Sequence, residues 1–246
     1  LPGVGRNLQD HPVAFLCQVC TQPVSLAAAE TATNFAKYLA GGTGMLTSNV
    51  GEAGGFIHSG EDDGEIPDLQ FHFAPAYFIE HGRVEPPGHG FTIGPTLVMP
   101  HSRGYIALRS ADPFDAPTVE PRYLADERDG ARLVQGLEIA RRIAAAPAFD
   151  RYRGAEYLPG GRADDPASLL SYVRRSLETL YHPAGTCKMA PETDPEAVVD
   201  PELRLHGTEG LRVVDASIMP TLVNANTHAP TTMIAERAAD LIRREH

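Results

Sequence analysis

The sequence predicts a protein of mixed α and β structure, in which a strand-rich first half precedes a set of helices. Short apolar runs separated by glycine and proline fill residues 11 to about 125, and helical periodicity begins near residue 127. The last third of the chain contains a strand, a loop and a helix in that order, which is typical of one edge of an α/β domain.

The strand-rich part contains four strand candidates and two turn regions. A mostly apolar run, an alternating apolar and polar run, and two runs bounded by proline or glycine predict strands at residues 13–20, 66–73, 91–99 and 104–109. Two glycine clusters, at residues 41–44 and 51–55, indicate turns. No internal repeat interrupts this order.

Two helices are predicted in the middle of the chain. Apolar residues recur at helical spacing from Leu133 onwards, and this pattern ends near Pro147. Asp165 followed by Pro166 predicts the N-cap and first residue of a second helix, which runs to about Leu177. The polar, glycine-containing residues 159–164 form the loop between them.

The final strand, loop and helix indicate where a ligand would lie. Residues 210–215 predict a short strand ending at Asp215, and Pro230 opens the last helix. Ligands of α/β domains bind outside the carboxyl ends of the strands, so Asp215 and the loop at residues 216–230 are predicted to lie near a ligand.

Composition excludes some classes of partner. The 32 acidic and 21 basic residues give a net charge of −11, which disfavours nucleic acid and anionic membrane surfaces. No apolar run approaches the ~18 residues that a membrane-spanning helix needs. Cys17 and Cys20 lack the second pair of a structural zinc site, so no metal is expected. We expect buried cysteines in a reducing compartment, with the cytoplasm favoured.

Three blocks near the end carry the chemistry: Tyr-His-Pro-Ala-Gly-Thr-Cys-Lys-Met (181–189), Val-Val-Asp-Ala-Ser-Ile-Met-Pro (213–220) and Asn-Thr-His-Ala-Pro-Thr-Thr-Met (226–233). Each alone also fits a structural role, such as a local loop, a capping carboxylate or a helix start. Together they resemble the C-terminal signature of the glucose–methanol–choline (GMC) oxidoreductase family. Residues 1–12 and 101–113 resemble two further blocks of that family, so the resemblance covers essentially the whole chain.

The resemblance implies a fold of two parts. We expect an antiparallel-sheet substrate domain with helices at residues 11–180, and the C-terminal part of an FAD-binding α/β domain at residues 181–246. Residues 1–10 would end the N-terminal FAD-binding portion. The Gly-x-Gly-x-x-Gly fingerprint that holds the FAD pyrophosphate does not occur in the sequence. We therefore expect this N-terminal portion to be missing, and the chain alone neither to bind FAD tightly nor to turn over.

The resemblance also implies an activity. Members of this family bind FAD and oxidise a small-molecule alcohol by moving hydride from its carbon to flavin N5, and either oxygen or a quinone-type acceptor would then take the electrons. The family's histidine base falls on His182. Imidazole has a pKa of about 6.5, so it can be neutral near pH 7 and accept the hydroxyl proton.

Further site residues follow from the same resemblance. A second active-site position, His or Asn in different members, falls on His228. Contacts to FAD are expected from Asp215, Ala216, His228, Pro230 and Thr231. Two alternatives remain open at this point: a hydroxynitrile lyase that keeps FAD but performs no net redox reaction, and a non-catalytic binding module.

Overall fold

The computed structural model describes residues 1–60, 64–84 and 87–244, and these form two compact units. Unit 1 takes residues 1–11, 98–129 and 179 onwards, and unit 2 takes residues 12–97 and 130–178. The structure thus groups residues 98–129 with the C-terminal segment, whereas the expected boundaries place them in the substrate domain. The domain boundaries expected above, 1–10, 11–180 and 181–246, stay predictions.

Unit 2 is built on an antiparallel sheet. Its strands are β1 (Pro12–Val13), β2 (Leu16–Cys20), β3 (Ala53–Ile57), β4 (Leu69–Ala74), β5 (Gly90–Leu97) and β8 (Arg153–Leu158). β4 pairs with β3 on one side and β5 on the other; β5 also pairs with β1 and β2, and β8 pairs with β2. Every one of these pairings is antiparallel, which confirms the predicted sheet type.

Unit 2 also contains helices, and one of them buries leucine side chains. α1 spans Ala32–Gly41, α2 spans Glu127–Ala144 and α3 spans Pro166–Ser176. Leu133 and Leu137 of α2, which are one turn apart, are fully buried, as is Leu69 of β4. This spacing places the apolar residues of α2 on one face, where burial removes them from water. A two-residue strand, β9 (Glu178–Thr179), follows α3.

Unit 1 has less regular structure. The hairpin of β6 (Tyr105–Ala107) and β7 (Thr118–Glu120) and the helix α4 (His228–Arg243) are its main elements. Its core packs residues of α4 against irregular segments that carry the sequence blocks. The buried members of this core are Ala184, Val198, Val199, Leu203, Ile218, Met219, Leu222, Ile234 and Ala238.

Several predicted elements are confirmed. α2 and α3 occupy the predicted positions, and Asp165 caps α3 by accepting the backbone N–H groups of Ala167 and Ser168. The strands predicted at residues 66–73 and 91–99 appear as β4 and β5 with ends shifted by one to three residues. Cys17 and Cys20 are buried and free, as expected.

The predicted strand at residues 210–215 is wrong. A strand needs a neighbouring strand for its backbone groups, and here only Arg212 forms a bridge, to Arg204. Asp215 instead stands before a short 3₁₀ helix, Ala216–Ile218, and its carboxylate accepts the backbone N–H of Ser217 at 2.8 Å. The segment is therefore an irregular loop and not the edge of a sheet.

One helix was not predicted, and two smaller expectations are wrong. The sequence did not predict α1, and the glycine cluster at residues 51–55 contributes Gly54 and Gly55 to β3 instead of a turn. α4 begins at His228, two residues before Pro230. Proline is tolerated inside the first helical turn because its missing N–H would have no partner there.

Within the described ranges, no helix is both long and apolar enough to cross a membrane.

Candidate active site

The N-terminal segment of unit 1 ties two of the sequence blocks together. The backbone N–H of Gly5 donates to Thr186 at 2.8 Å, and Gln9 and Ala184 exchange backbone hydrogen bonds at 2.9–3.0 Å. The side chain of Asn7 donates to the carbonyl oxygens of Gly185 and Pro220. The N-terminal segment therefore fixes the His-Pro-Ala-Gly-Thr block relative to the block that contains Asp215.

Direct backbone hydrogen bonds join the same two blocks. The N–H groups of Gly185, Cys187 and Met189 donate in turn to the carbonyl oxygens of residues 216, 217 and 218. This regular pairing orients both blocks without a regular strand, and it places Ala216 against the chain that follows His182.

Asp10 is the polar centre of the site. It is buried, and its Oδ1 accepts the backbone N–H of His11 at 2.8 Å and that of His182 at 2.9 Å. Its Oδ2 accepts the hydroxyls of Tyr123 at 2.5 Å and of Thr179. A buried carboxylate is costly unless such hydrogen bonds satisfy it. Burial, reinforced by the hydrogen bond to Asp10, holds the pKa of Tyr123 well above its usual range, so the phenol remains a donor.

His182 contacts a second histidine that is 171 residues away in sequence. Nδ1 of His182 lies 2.9 Å from Nδ1 of His11, and the two rings meet edge to face with centroids 5.1 Å apart. His182 is half-buried and His11 is fully buried. Burial lowers the pKa of His182 below its ordinary value, while the charge of Asp10 opposes this effect. Burial lowers the pKa of His11 to about 4, with a further contribution from His182.

The backbone just before His182 is strained. Tyr181 has a φ of +63°, which costs about 1–2 kcal/mol for a residue other than glycine. Its N–H donates to Thr179 Oγ1 at 2.9 Å, and the next N–H, that of His182, donates to Asp10. These two bonds hold the strained turn and so aim the His182 side chain. Such strain is often found where a side chain is positioned for chemistry.

His228 lies in a different environment. It is the exposed first residue of α4. Within the part of the chain that the structure describes, its ring makes no hydrogen bond or ring contact with the ring of His182. Among the residues that the structure describes, no side chain caps this end of α4. Thr231 donates its hydroxyl to the carbonyl of Thr227 at 2.7 Å, and Pro230 is half-buried in the first turn.

The structure thus brings together part of the predicted site. His182 and Ala216 belong to the hydrogen-bonded arrangement described above, whereas Asp215 is exposed and caps its own loop. His228, Pro230 and Thr231 share the first turn of α4. Among the residues that the structure describes, no group of histidine, cysteine and acidic side chains could hold a metal ion.

Sequence reasoning did not assign roles to four residues: Asp10 and His11, which contact His182, and Tyr123 and Thr179, which contact Asp10. The adjacent Asp10-His11 pair was visible inside the first block, and it offered the one usable signal. Nothing in the sequence indicates that this pair would meet a histidine near the other end of the chain.

Comparison with known proteins identifies the family. The family model described as GMC oxidoreductase matches residues 100–235, which is more than half of the chain. The chain belongs to the GMC oxidoreductase family. The predicted recognition is therefore confirmed.

Curated GMC relatives span a range of names. An uncharacterised GMC-type oxidoreductase of Mycobacterium tuberculosis is 48% identical over 98% of this chain and 46% of its own length. The alcohol dehydrogenase [acceptor] of Pseudomonas putida is 42% identical over 100% of this chain and 45% of its own length. Human mitochondrial choline dehydrogenase is 41% identical over 99% of this chain and 41% of its own length. The chain spans somewhat less than half the length of these relatives.

Solved structures confirm the fold class. The crystal structure of pyridoxine 4-oxidase from Mesorbium loti matches with a TM-score of 0.83 at 28% identity, over 100% of this chain and 44% of that one. Formate oxidase of Aspergillus oryzae matches with a TM-score of 0.89 at 24% identity, over 99% and 48%, and supports the fold alone.

Proposed function

We propose that this chain is the C-terminal portion of an FAD-dependent oxidoreductase that acts on the CH–OH group of a small alcohol, together with an N-terminal FAD-binding portion of the same polypeptide. The observation that carries the proposal is the setting of His182, which is half-buried, keeps a lowered pKa and is fixed through Asp10 and His11. Family membership supports it, as do relatives named alcohol dehydrogenase and choline dehydrogenase.

The proposed role of His182 is to remove the hydroxyl proton of the alcohol. An alcohol is a poor hydride donor until this proton leaves, and a positioned base contributes roughly 10²–10⁴-fold. Because burial lowers the pKa of His182, the ring stays neutral and able to accept a proton at and somewhat below neutral pH. The side chain is only half-buried, which leaves it reachable by a substrate.

Residues that would hold the flavin have suitable chemistry and access. Asp215 and His228 are exposed, and the uncapped first turn of α4 presents backbone N–H groups at the positive end of a 16-residue helix. Such a helix end favours negative charge, so it would stabilise negative charge on a flavin bound beside it. We assign contacts with FAD to Asp215, Ala216, His228, Pro230 and Thr231. FAD, when bound, supplies the acceptor for the hydride that leaves the alcohol carbon.

His228 is proposed as the partner of His182. A second imidazole near the reacting oxygen can donate a hydrogen bond to the developing alkoxide and stabilise its charge. The exposure of His228 at the start of α4 supports this role, since the side chain is free to meet a substrate or the flavin.

The test uses the full polypeptide loaded with FAD and mixed with a panel of alcohols, choline included, in the absence of oxygen. Bleaching of the flavin absorbance by at least one alcohol is the expected result. Cleavage of a cyanohydrin without bleaching of the flavin would replace the proposal with a lyase activity. Tight binding of the alcohols or the cyanohydrin without either reaction would indicate a binding module. Reoxidation of the bleached enzyme by oxygen or by a quinone then identifies the electron acceptor.

A further inference from the structure

The two histidines at the site face each other through the same ring atom. Nδ1 of His11 and Nδ1 of His182 are 2.9 Å apart, and the rings are nearly perpendicular at 88°. A hydrogen bond at this distance requires that one Nδ1 carries a proton and the other offers a lone pair. The pair therefore admits two arrangements, and only one leaves Nε2 of His182 able to accept a proton.

The surroundings of His11 select between them. Its Nε2 is buried and makes no hydrogen bond of ordinary geometry to any described residue, yet the backbone carbonyl groups of Val98 and Val223 interact with the ring. Carbonyl oxygens only accept, so they favour a proton on the ring nitrogen that they face, and because Nδ1 of His11 faces His182 we infer that this nitrogen is Nε2. Burial keeps His11 neutral, so a proton on Nε2 leaves Nδ1 bare.

We propose that His11 is a positioning residue that accepts a hydrogen bond from Nδ1–H of His182, and thereby fixes Nε2 of His182 as the atom that receives the substrate proton. The assignment deepens the proposed function and rests on it where the substrate is concerned. The tautomer of His182 is a property of the protein that exists without any substrate.

Asp10 makes the geometry of the pair durable. The same carboxylate oxygen, Oδ1, accepts the backbone N–H of both His11 and His182, so the two residues share one anchor. The other oxygen is held by Tyr123 and Thr179, which prevents the carboxylate from turning away. The distance between the rings is therefore set by the backbone and is not left to side-chain packing alone.

The same arrangement serves the protonated state. When the hydroxyl proton of the alcohol moves to Nε2, His182 becomes an imidazolium with N–H groups at both nitrogens. Its Nδ1–H continues to donate to the lone pair of His11, so no hydrogen bond has to break or reorganise. The bond becomes charge-assisted and stronger at the moment when the charge appears.

Nitrogen NMR of the FAD-loaded full polypeptide, labelled with ¹⁵N-histidine and free of substrate, reads the tautomer directly. The His182 signals are identified by their loss in the His182→Ala variant. We expect Nδ1 of His182 to be protonated and Nε2 to be bare near neutral pH. A proton on Nε2 of His182 would overturn the proposal. Because this measurement requires no turnover, it stands even if no alcohol bleaches the flavin and the proposed function fails.

A pair of variants tests the consequence for the reaction. In His11→Asn the amide oxygen can replace Nδ1 as acceptor, whereas His11→Leu fills similar space without one. We expect His11→Leu to slow anaerobic flavin reduction roughly 10- to 100-fold with little change in substrate Kd, and to mix the His182 tautomers. His11→Asn is expected to restore most of the rate and the single tautomer. Equal rates in the wild type and His11→Leu, or equal defects in both variants, would contradict the role.

Discussion

Acid is expected to weaken the fold through His11. Its side chain is fully buried, and this burial is the main reason why its pKa is lowered to about 4. Repulsion from a positive charge on His182 is the second cause. In an unfolded chain the pKa of histidine is about 6.5. As the pH falls below 6.5 the unfolded state takes up the proton first, so stability that is fully present above pH 6.5 is lost as the pH falls through about 4.

The size of this effect follows from the two pKa values. Their difference, at about 1.4 kcal/mol for each pH unit, gives a loss of about 3 kcal/mol when titration is complete. Between pH 7.5 and pH 4.5 the same linkage gives about 2.5 kcal/mol, since His11 begins to charge in the folded state near the lower value.

Urea unfolding followed by circular dichroism measures the loss. The free energy of unfolding of the wild type is compared with that of His11→Asn at both pH values, so that the carboxylates and the other histidines cancel. The exposed His101 provides the matched variant His101→Asn, whose pH dependence is expected to follow the wild type. If His11→Asn and the wild type lose stability equally, within roughly 0.5 kcal/mol, the reasoning from burial is refuted.

Three further predictions concern stability, each measured as the free energy of unfolding. Gly5→Ala is expected to cost about 2–5 kcal/mol, because φ is +81° and a new Cβ would lie 2.1 Å from a carbonyl oxygen of β6. Its control is Gly207→Ala, which is also at positive φ but in open space and is expected to cost only about 1–2 kcal/mol. Equal costs for the two variants would contradict the argument. Arg132→Met is expected to cost about 3–5 kcal/mol, since it removes the guanidinium that pairs with the buried Asp68. Arg132 Nε lies 3.1 Å from Asp68 Oδ2, which suits an ion pair although the N–H direction is poor for a hydrogen bond. Asp165→Ala is expected to cost about 1 kcal/mol by removing the cap of α3. The control is Asp164→Ala at the preceding, exposed residue, and an equal effect of both substitutions would argue against capping.

Local rules predicted α2 and α3 because local contacts determine where they begin and which face is buried. Asp165 and Pro166 set the start of α3 through hydrogen bonds within three residues, and the leucine spacing of α2 reflects one buried face. The strands β4 and β5 were predictable from their apolar patterns, since β5 is buried along its whole length and β4 over its first three residues.

Elements that depend on distant partners were not predictable in this way. Val213 and Val214 have strand propensity, but among the described residues a single bridge, between Arg212 and Arg204, is all that pairs this segment with another. Gly54 and Gly55 read as a turn locally, yet pairing with β4 makes them part of a strand.

The site shows the same division. The resemblance indicated His182 and His228 because the family's blocks mark them in sequence. The environment of His182 is assembled from Asp10, His11, Tyr123 and Thr179, and the contact between His11 and His182 spans 171 positions. A single sequence does not encode such a pairing in any local pattern, so the atoms that tune the proposed base became visible only in the folded chain.

The central claim is that His182 is the base that takes the hydroxyl proton. The most direct measurement is the rate of anaerobic flavin reduction by an alcohol in the FAD-loaded full polypeptide, for the wild type and for His182→Ala at equal FAD content. We expect the variant to react roughly 10²–10⁴-fold more slowly while FAD remains bound, with His101→Ala reacting like the wild type. A rate for His182→Ala close to that of the wild type would contradict the assignment.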